Sequence, residues 1–87
     1  MTEFDFDPRK SRSNQEKHGI DFIEAQRLWE DSLRIEIPAK TVDETRTVVI
    51  GRIGEKVWSA IVAEREGKTR IISVRRARRK EVEIYEG

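Results

Sequence analysis

Cysteine is absent from the 87 residues and histidine occurs once. Without cysteine there is no disulfide framework and no thiolate metal site. A single histidine among scattered carboxylates offers no spacing for a transition metal, so neither a metal nor a cofactor is expected. No apolar run approaches the ~18 residues of a membrane helix. The first residues, Met1-Thr2-Glu3-Phe4-Asp5-Phe6-Asp7, are acidic and lack the basic start of a signal peptide. A reducing cytoplasm is therefore the expected location. Glycine is sparse, and Gly51 and Gly54 are not followed by the Gly-Lys-Ser/Thr of a phosphate-binding loop.

What is present is a polar but patterned chain, with 36% hydrophobic and 40% charged residues. Its apolar residues fall in periodic clusters, which indicates a folded chain rather than disorder. The length suits one domain, residues 1–87, and a chain of this size buries only about 60–65% of its unfolded surface. A partner covering part of that surface would add to a small stability margin.

Phe4 and Phe6 alternate with Asp5 and Asp7, the period of a short half-buried strand. Asp7-Pro8 reads as a cap and first helical residue, and Gly19 as the end of a polar surface helix over 8–18. Ser13 with Glu16 offers a later start for that helix. Asp21 and Glu24 form a second capping pattern ahead of Phe22, Ala25, Leu28 and Trp29, which predicts a second helix to about residue 31. Leu33, Ile35 and Ile37 alternate as a strand stopped by Pro38. A polar loop is expected over 39–45. Strands follow at Thr47–Ile53, Val57–Glu64 and Thr69–Arg75, separated by turns at Gly54-Glu55 and Glu66-Gly67. From Arg78 a short helix can place Val82 and Tyr85 on one face. The fold class is therefore α+β: a short N-terminal strand, two helices, a four-stranded mostly antiparallel sheet and a C-terminal helix, with the helices on one face. Trp29 and Trp58 fit the core.

Charge is distributed unevenly. Residues 1–31 hold eight acids and five bases, and 32–64 hold five of each. From Arg65 to Lys80 there are eight bases and one acid. The formal charge of +1 conceals one strongly positive end. A positive surface on a strand and a helix start suits a phosphate-rich partner such as nucleic acid.

The chain resembles the BrnT toxins of bacterial type II toxin–antitoxin systems over almost its whole length. The resemblance rests on Phe4-Asp5-Phe6-Asp7 with Lys10, then Asn14 and Lys17-His18-Gly19-Ile20-Asp21-Phe22. It continues through Ala25, Trp29, Asp31, Arg46, Ile50-Gly51 and Arg65. It closes with Arg70-Ile71-Ile72-Ser73-Val74-Arg75-Arg76-Ala77, Glu81, Tyr85 and Glu86. Val74 stands where a smaller residue is usual, and Arg78 where a hydroxyl residue is usual. The resemblance implies a RelE-like fold and a ribonuclease that cleaves RNA and arrests translation and growth. It also implies a cognate antitoxin of ribbon-helix-helix type, two toxins and two antitoxins in one complex, and contact with operator DNA through the antitoxin.

RNA can be cleaved without a metal when its own 2′-hydroxyl attacks the adjacent phosphate. The protein must align the attack, move two protons and offset charge on a crowded phosphate. Arginine meets the last need with a permanent charge and a planar fork. Arg65, Arg75 and Arg79 are the leading catalytic candidates, followed by Arg76. If Ile72 and Val74 are core, strand alternation puts Arg75 on the face away from it, with Ile71 and Ser73, and groups Arg76 with Arg70. His18 suits general acid–base work but equally complements a helix end. Tyr85 could act as an acid, stack on a base, or simply pack. Lys10, Lys17, Arg70, Arg78 and Lys80 are candidates for holding the RNA backbone. Two other readings compete: a non-catalytic nucleic-acid-binding module using the same arginines as phosphate clamps, and an interaction protein paired with an acidic partner. A solvated basic edge that deters aggregation would look much the same.

Overall fold

The computed structural model describes residues 2–39 and 44–87. Its elements are β1 (Phe4–Asp5), α1 (Pro8–His18), a 3-10 helix (Glu24–Glu30), β2 (Ile35–Ala39), β3 (Arg46–Ile53), β4 (Lys56–Arg65), β5 (Lys68–Arg76) and α2 (Arg79–Glu86). The expected α+β order is present. The sheet, however, has five strands rather than four, in the order β1-β5-β4-β3-β2. The extra member is the short N-terminal strand, which pairs parallel with β5 through Phe4 opposite Thr69 and Asp5 opposite Arg70. The other neighbours are antiparallel. Alternation alone marks Phe4–Asp7 as extended but says nothing of which strand it will join.

Helix α1 follows its local signals. The Asp7 carboxylate accepts from the Arg9 N–H at 2.9 Å, Pro8 opens the helix, and Gly19 closes it at φ +78°. The start at Ser13 is not used. Instead Ser11 and Asn14 are buried. The Ser11 hydroxyl accepts from the Phe22 N–H at 2.8 Å, and Asn14 faces β5.

The second helix is a 3-10 helix, not an α-helix. Phe22, Ala25 and Leu28, all buried, recur every three residues, and three residues per turn keep them in one line. Asp21 caps it by accepting from the Ile23 and Glu24 N–H groups at 3.0 and 2.7 Å. Leu33 lies outside β2 and is 73% exposed, because the turn before the strand is held by the Asp31 carboxylate on the Leu33 N–H. Pro38 sits inside β2 rather than ending it. An edge strand tolerates proline because one side of it has no ladder to satisfy. Residues 40–43 of the expected loop lie outside the described residues.

The core lies between the sheet and the first two helices. Ile20, Phe22, Ala25 and Leu28 pack on Val49, Trp58, Ala60, Val62, Ile71 and Val74, with Phe4, Phe6, Trp29 and Ile53 at its margin. Both tryptophans therefore serve the core. Phe4 meets Trp29 and Phe6 meets Phe22 edge to face, with ring centroids 4.8 and 5.9 Å apart. Trp58, Ala60 and Val62 define this helix face, so Val57, Ser59, Ile61 and Ala63 point to the other. The Ser59 hydroxyl donates to Glu81 of α2 at 3.2 Å. The C-terminal helix thus begins over the opposite face, and the expectation of all helices on one side is corrected.

Candidate functional site

Strand β5 carries most of the basic residues, and two local features decide where they point. The first is the turn before it. Glu66 and Gly67 have φ of +53° and +78°, the paired positive values of a two-residue hairpin turn whose twist matches the strands. The second is a bulge. Ile61 pairs with Ser73 but Val62 pairs with Ile71, leaving Ile72 unopposed. The extra residue reverses the alternation. Ile71 and Val74, three apart, are both buried, while Ile72 is only half-buried. Ile72 is therefore not core as expected, and Arg70 shares a face with Arg75 rather than with Arg76. Arg75 does face away from Val74.

The predicted arginines gather in two groups, not one pocket. At the start of β5, Arg46, Ala63 and Arg70 stand in one row across three strands. Ala63, buried and carrying only a methyl group, separates the two arginines. Arg65 joins them, and Lys10 and Asp7 close a small crevice of about 90 Å3 with Ile71 and Ile72. Arg46 directs Nε and Nη2 to Oε2 of Glu44 at 3.1 and 3.0 Å. Arg65 directs the same pair of donors to Oε1 at 3.1 and 2.9 Å. The hydrogen bonds from Arg65, then those from Arg46, hold the Glu44 carboxyl below its usual range. Arg70 pairs with Asp5 at 2.6 Å, which lowers the Asp5 carboxyl in turn.

The second group stands at the end of β5. Ser59 opposes Arg75 and Arg65 opposes Lys68. Four to six positions of β4 therefore separate the two groups, about 13–20 Å at strand spacing. Arg75 grips Glu81 with both terminal nitrogens, at 2.7 and 3.0 Å. Glu81 also accepts from the Arg78 backbone N–H at 2.8 Å and from Ser59, closing the first turn of α2. Its carboxyl is held down, chiefly by Arg75, against the opposing effect of burial. Arg76 falls on the helix face, its guanidinium 5.6 Å from the Trp58 ring. Arg78, Arg79 and Lys80 are exposed, and among the described residues they and Arg76 form no ion pair.

The proton-carrier candidates separate in the same way. Asn14 bonds to Val74, so Lys17 and His18, a turn further along α1, lie toward the Arg76 end; both are exposed. Tyr85 is six residues past Arg79, about 9 Å along α2. Its hydroxyl donates to Asp31 at 2.5 Å, and that bond, followed by burial, raises its pKa. A raised pKa makes the phenol a poorer proton donor, and the geometry makes it a strut between α2 and the turn before β2. The same Asp31 oxygen accepts from the Arg52 N–H at 2.9 Å. Burial opposes its ionisation, but these bonds outweigh that and keep its carboxyl low. Arg46, Glu44 and Glu81 were missed as site neighbours. Arg46 and Glu81 belong to the resemblance, but only the cross-strand register brings them to the arginines.

Taken together these features define a small α+β domain with a cationic strand and helix start. No helix among the described residues is long and apolar enough to cross a membrane. The family model for the BrnT ribonuclease toxin of type II toxin–antitoxin systems matches residues 6–81. The chain belongs to that family, and an antitoxin is accordingly its partner. No curated protein matches it.

Proposed function

We propose that this chain is a metal-independent endoribonuclease of RelE-like architecture that cuts RNA at the end of β5. The observation that carries the proposal is the set of cations Arg76, Arg78, Arg79 and Lys80, exposed and in no ion pair among the described residues, in a chain of a ribonuclease toxin family. Arg76 and Arg79 offset charge on the phosphate under attack by the neighbouring 2′-hydroxyl. At an effective dielectric near 20, each such charge about 4 Å away is worth roughly 4 kcal/mol. His18, approaching from α1, moves a proton. Arg75 supports them by fixing α2 through Glu81. Lys17, Arg78 and Lys80 guide the backbone, and Lys10, Arg65 and Arg70 hold it at the far end of the strand.

The antitoxin in this reading is a ribbon-helix-helix protein that covers the basic surface in the cytoplasm. Such proteins dimerise, so the complex holds two of each chain and meets operator DNA through the antitoxin. A non-catalytic clamp is the second reading, favoured by the engagement of both Arg65 and Arg75 with carboxylates. Incubating the purified chain with RNA in EDTA and mapping product ends separates the two. Cleavage with a 2′,3′-cyclic phosphate or 3′-phosphate end, lowered at least tenfold by R76A/R79A, is expected. Intact RNA overturns the enzymatic reading.

A further inference from the structure

We propose that the fork formed by Arg46 and Arg65 is a binding site for an RNA phosphate, and that Glu44 fills it in the free protein as an internal competitor. This rests on the ribonuclease reading only for the source of the phosphate. Both guanidiniums present their Nε and Nη2 edge to one carboxylate, five bonds between 2.9 and 3.2 Å. That edge matches two oxygens of a phosphate as well as it matches two of a carboxylate. The fork is thus a preorganised anion site whose occupant comes from the same chain.

Several features make Glu44 replaceable. It precedes β3 in a bend and takes no part in the sheet ladder, so moving it breaks no strand pairing. The side chains of Arg65, Arg46 and Glu44 are 48%, 39% and 25% exposed. Ion pairs so open to water hold weakly. Around the fork four cations, Lys10, Arg46, Arg65 and Arg70, meet three carboxylates, Asp5, Asp7 and Glu44. Exchanging one carboxylate for one phosphodiester leaves the net charge unchanged, and both anions need the same Nε and Nη2 donors, which Glu44 already occupies. Glu44 therefore has to leave, and its departure is the threshold for binding.

The open sheet face favours RNA over an acidic protein segment. Arg65, Arg70 and Arg75 occupy that face at the two ends of one strand pair, a span that several nucleotides of an extended strand would cover. Between them lie the half-buried Ile61 and Ser73, neither of which carries a charge to repel a nucleotide chain.

The test is anisotropy of a labelled single-stranded 2′-O-methyl RNA, whose blocked 2′-hydroxyl prevents cleavage. Wild type, E44Q, R46A/R65A, R65K and the triple variant are compared across salt, with E66Q as a control of equal charge change on the adjacent turn. Circular dichroism verifies folding of each. E44Q is expected to bind at least fivefold tighter than E66Q. R46A/R65A is expected to bind at least tenfold weaker, with a salt slope about 0.7 lower for one lost single-strand phosphate. R65K should weaken binding while keeping the charge, because the planar fork is lost. E44Q should bring no gain when both arginines are absent. Equal affinity of E44Q and E66Q, or a wild-type slope in R46A/R65A, overturns the proposal. So does preferential binding of a hexaglutamate peptide, which would assign the fork to an acidic protein segment. Cleavage of unmodified RNA is read separately: cutting without any Glu44 effect sinks the fork alone, and fork-dependent binding without cutting sinks the nuclease alone.

Discussion

Asn14 is the residue on which the layers of this molecule meet. Its amide nitrogen donates to the Ile20 and Val74 carbonyls at 2.8 and 2.9 Å, and its oxygen accepts from the Val74 N–H at 3.2 Å. One side chain thereby completes the backbone pairing of β5 just past the point where β1 ends. Replacing it by alanine leaves three buried backbone groups unpaired, an expected loss of about 2–4 kcal/mol. Thermal denaturation of N14A should show a midpoint lower by about 10–20 °C. Gly51 is similarly restricted. A Cβ there would stand 3.1 Å from a Leu28 methyl and 3.4 Å from the Asp31 carboxylate. G51A is expected to lose about 1–2 kcal/mol through overpacking, read from urea unfolding. At this scale the sequence is partly legible. Caps such as Asp7 and Asp21 declare themselves because their partners are two or three residues away. Val74, which Asn14 meets, and Arg65, the more distant partner of Glu44, lie 60 and 21 residues off, and no local pattern encodes them.

Among the elements, the strands of the meander are where the apolar alternation puts them, to within a residue or two at each end. The errors arise where tertiary pairing overrides a local rule. The bulge at Ile72 depends on what β4 offers opposite, so reading β5 as an unbroken alternation misassigns Ile72 and Arg70. The 3-10 helix differs from the expected α-helix because burial of Phe22, Ala25 and Leu28 rewards a three-residue repeat. Helix α2 illustrates how an element can be attached by one group. Glu81 serves as acceptor for Arg75, the Arg78 N–H and Ser59 at once. E81Q removes the charge that Arg75 grips and weakens the cap. Faster hydrogen exchange in residues 79–86 is expected, with β3 and β4 unchanged. Loss of nuclease activity in that variant would accompany the loosening of Arg79, not of Arg65.

For the whole molecule, acid sensitivity follows from the carboxylates that the fold stabilises. Asp31 and Glu81 have folded pKa values below their ordinary ones, as do Asp5, Asp7 and Glu44. A depressed folded pKa adds stability above the unfolded value, near 4, and loses it as pH falls through the folded value. The melting temperature should therefore stay level from pH 7 to about 5 and decline below about 4.5. A rise in stability on acidification would contradict the hydrogen-bond assignments. The basic end read from the sequence survives as a region, but its candidates Arg65 and Arg75 stand at opposite ends of the β4–β5 pair. Residue counts locate charge along the chain, and only the direction of each strand decides which charges meet.

Strand β1 lies beside β5 through a parallel pairing that joins residues more than sixty positions apart. During synthesis, the partner of Phe4 and Asp5 does not exist until β5 has been made, and β4 also waits for β5 to cover its inner edge. Contacts this distant in sequence form late and all together. A chain made only as far as β4 therefore has no assembled cationic strand, and the surface that carries Arg70 and Arg75 arises with the last contacts to form.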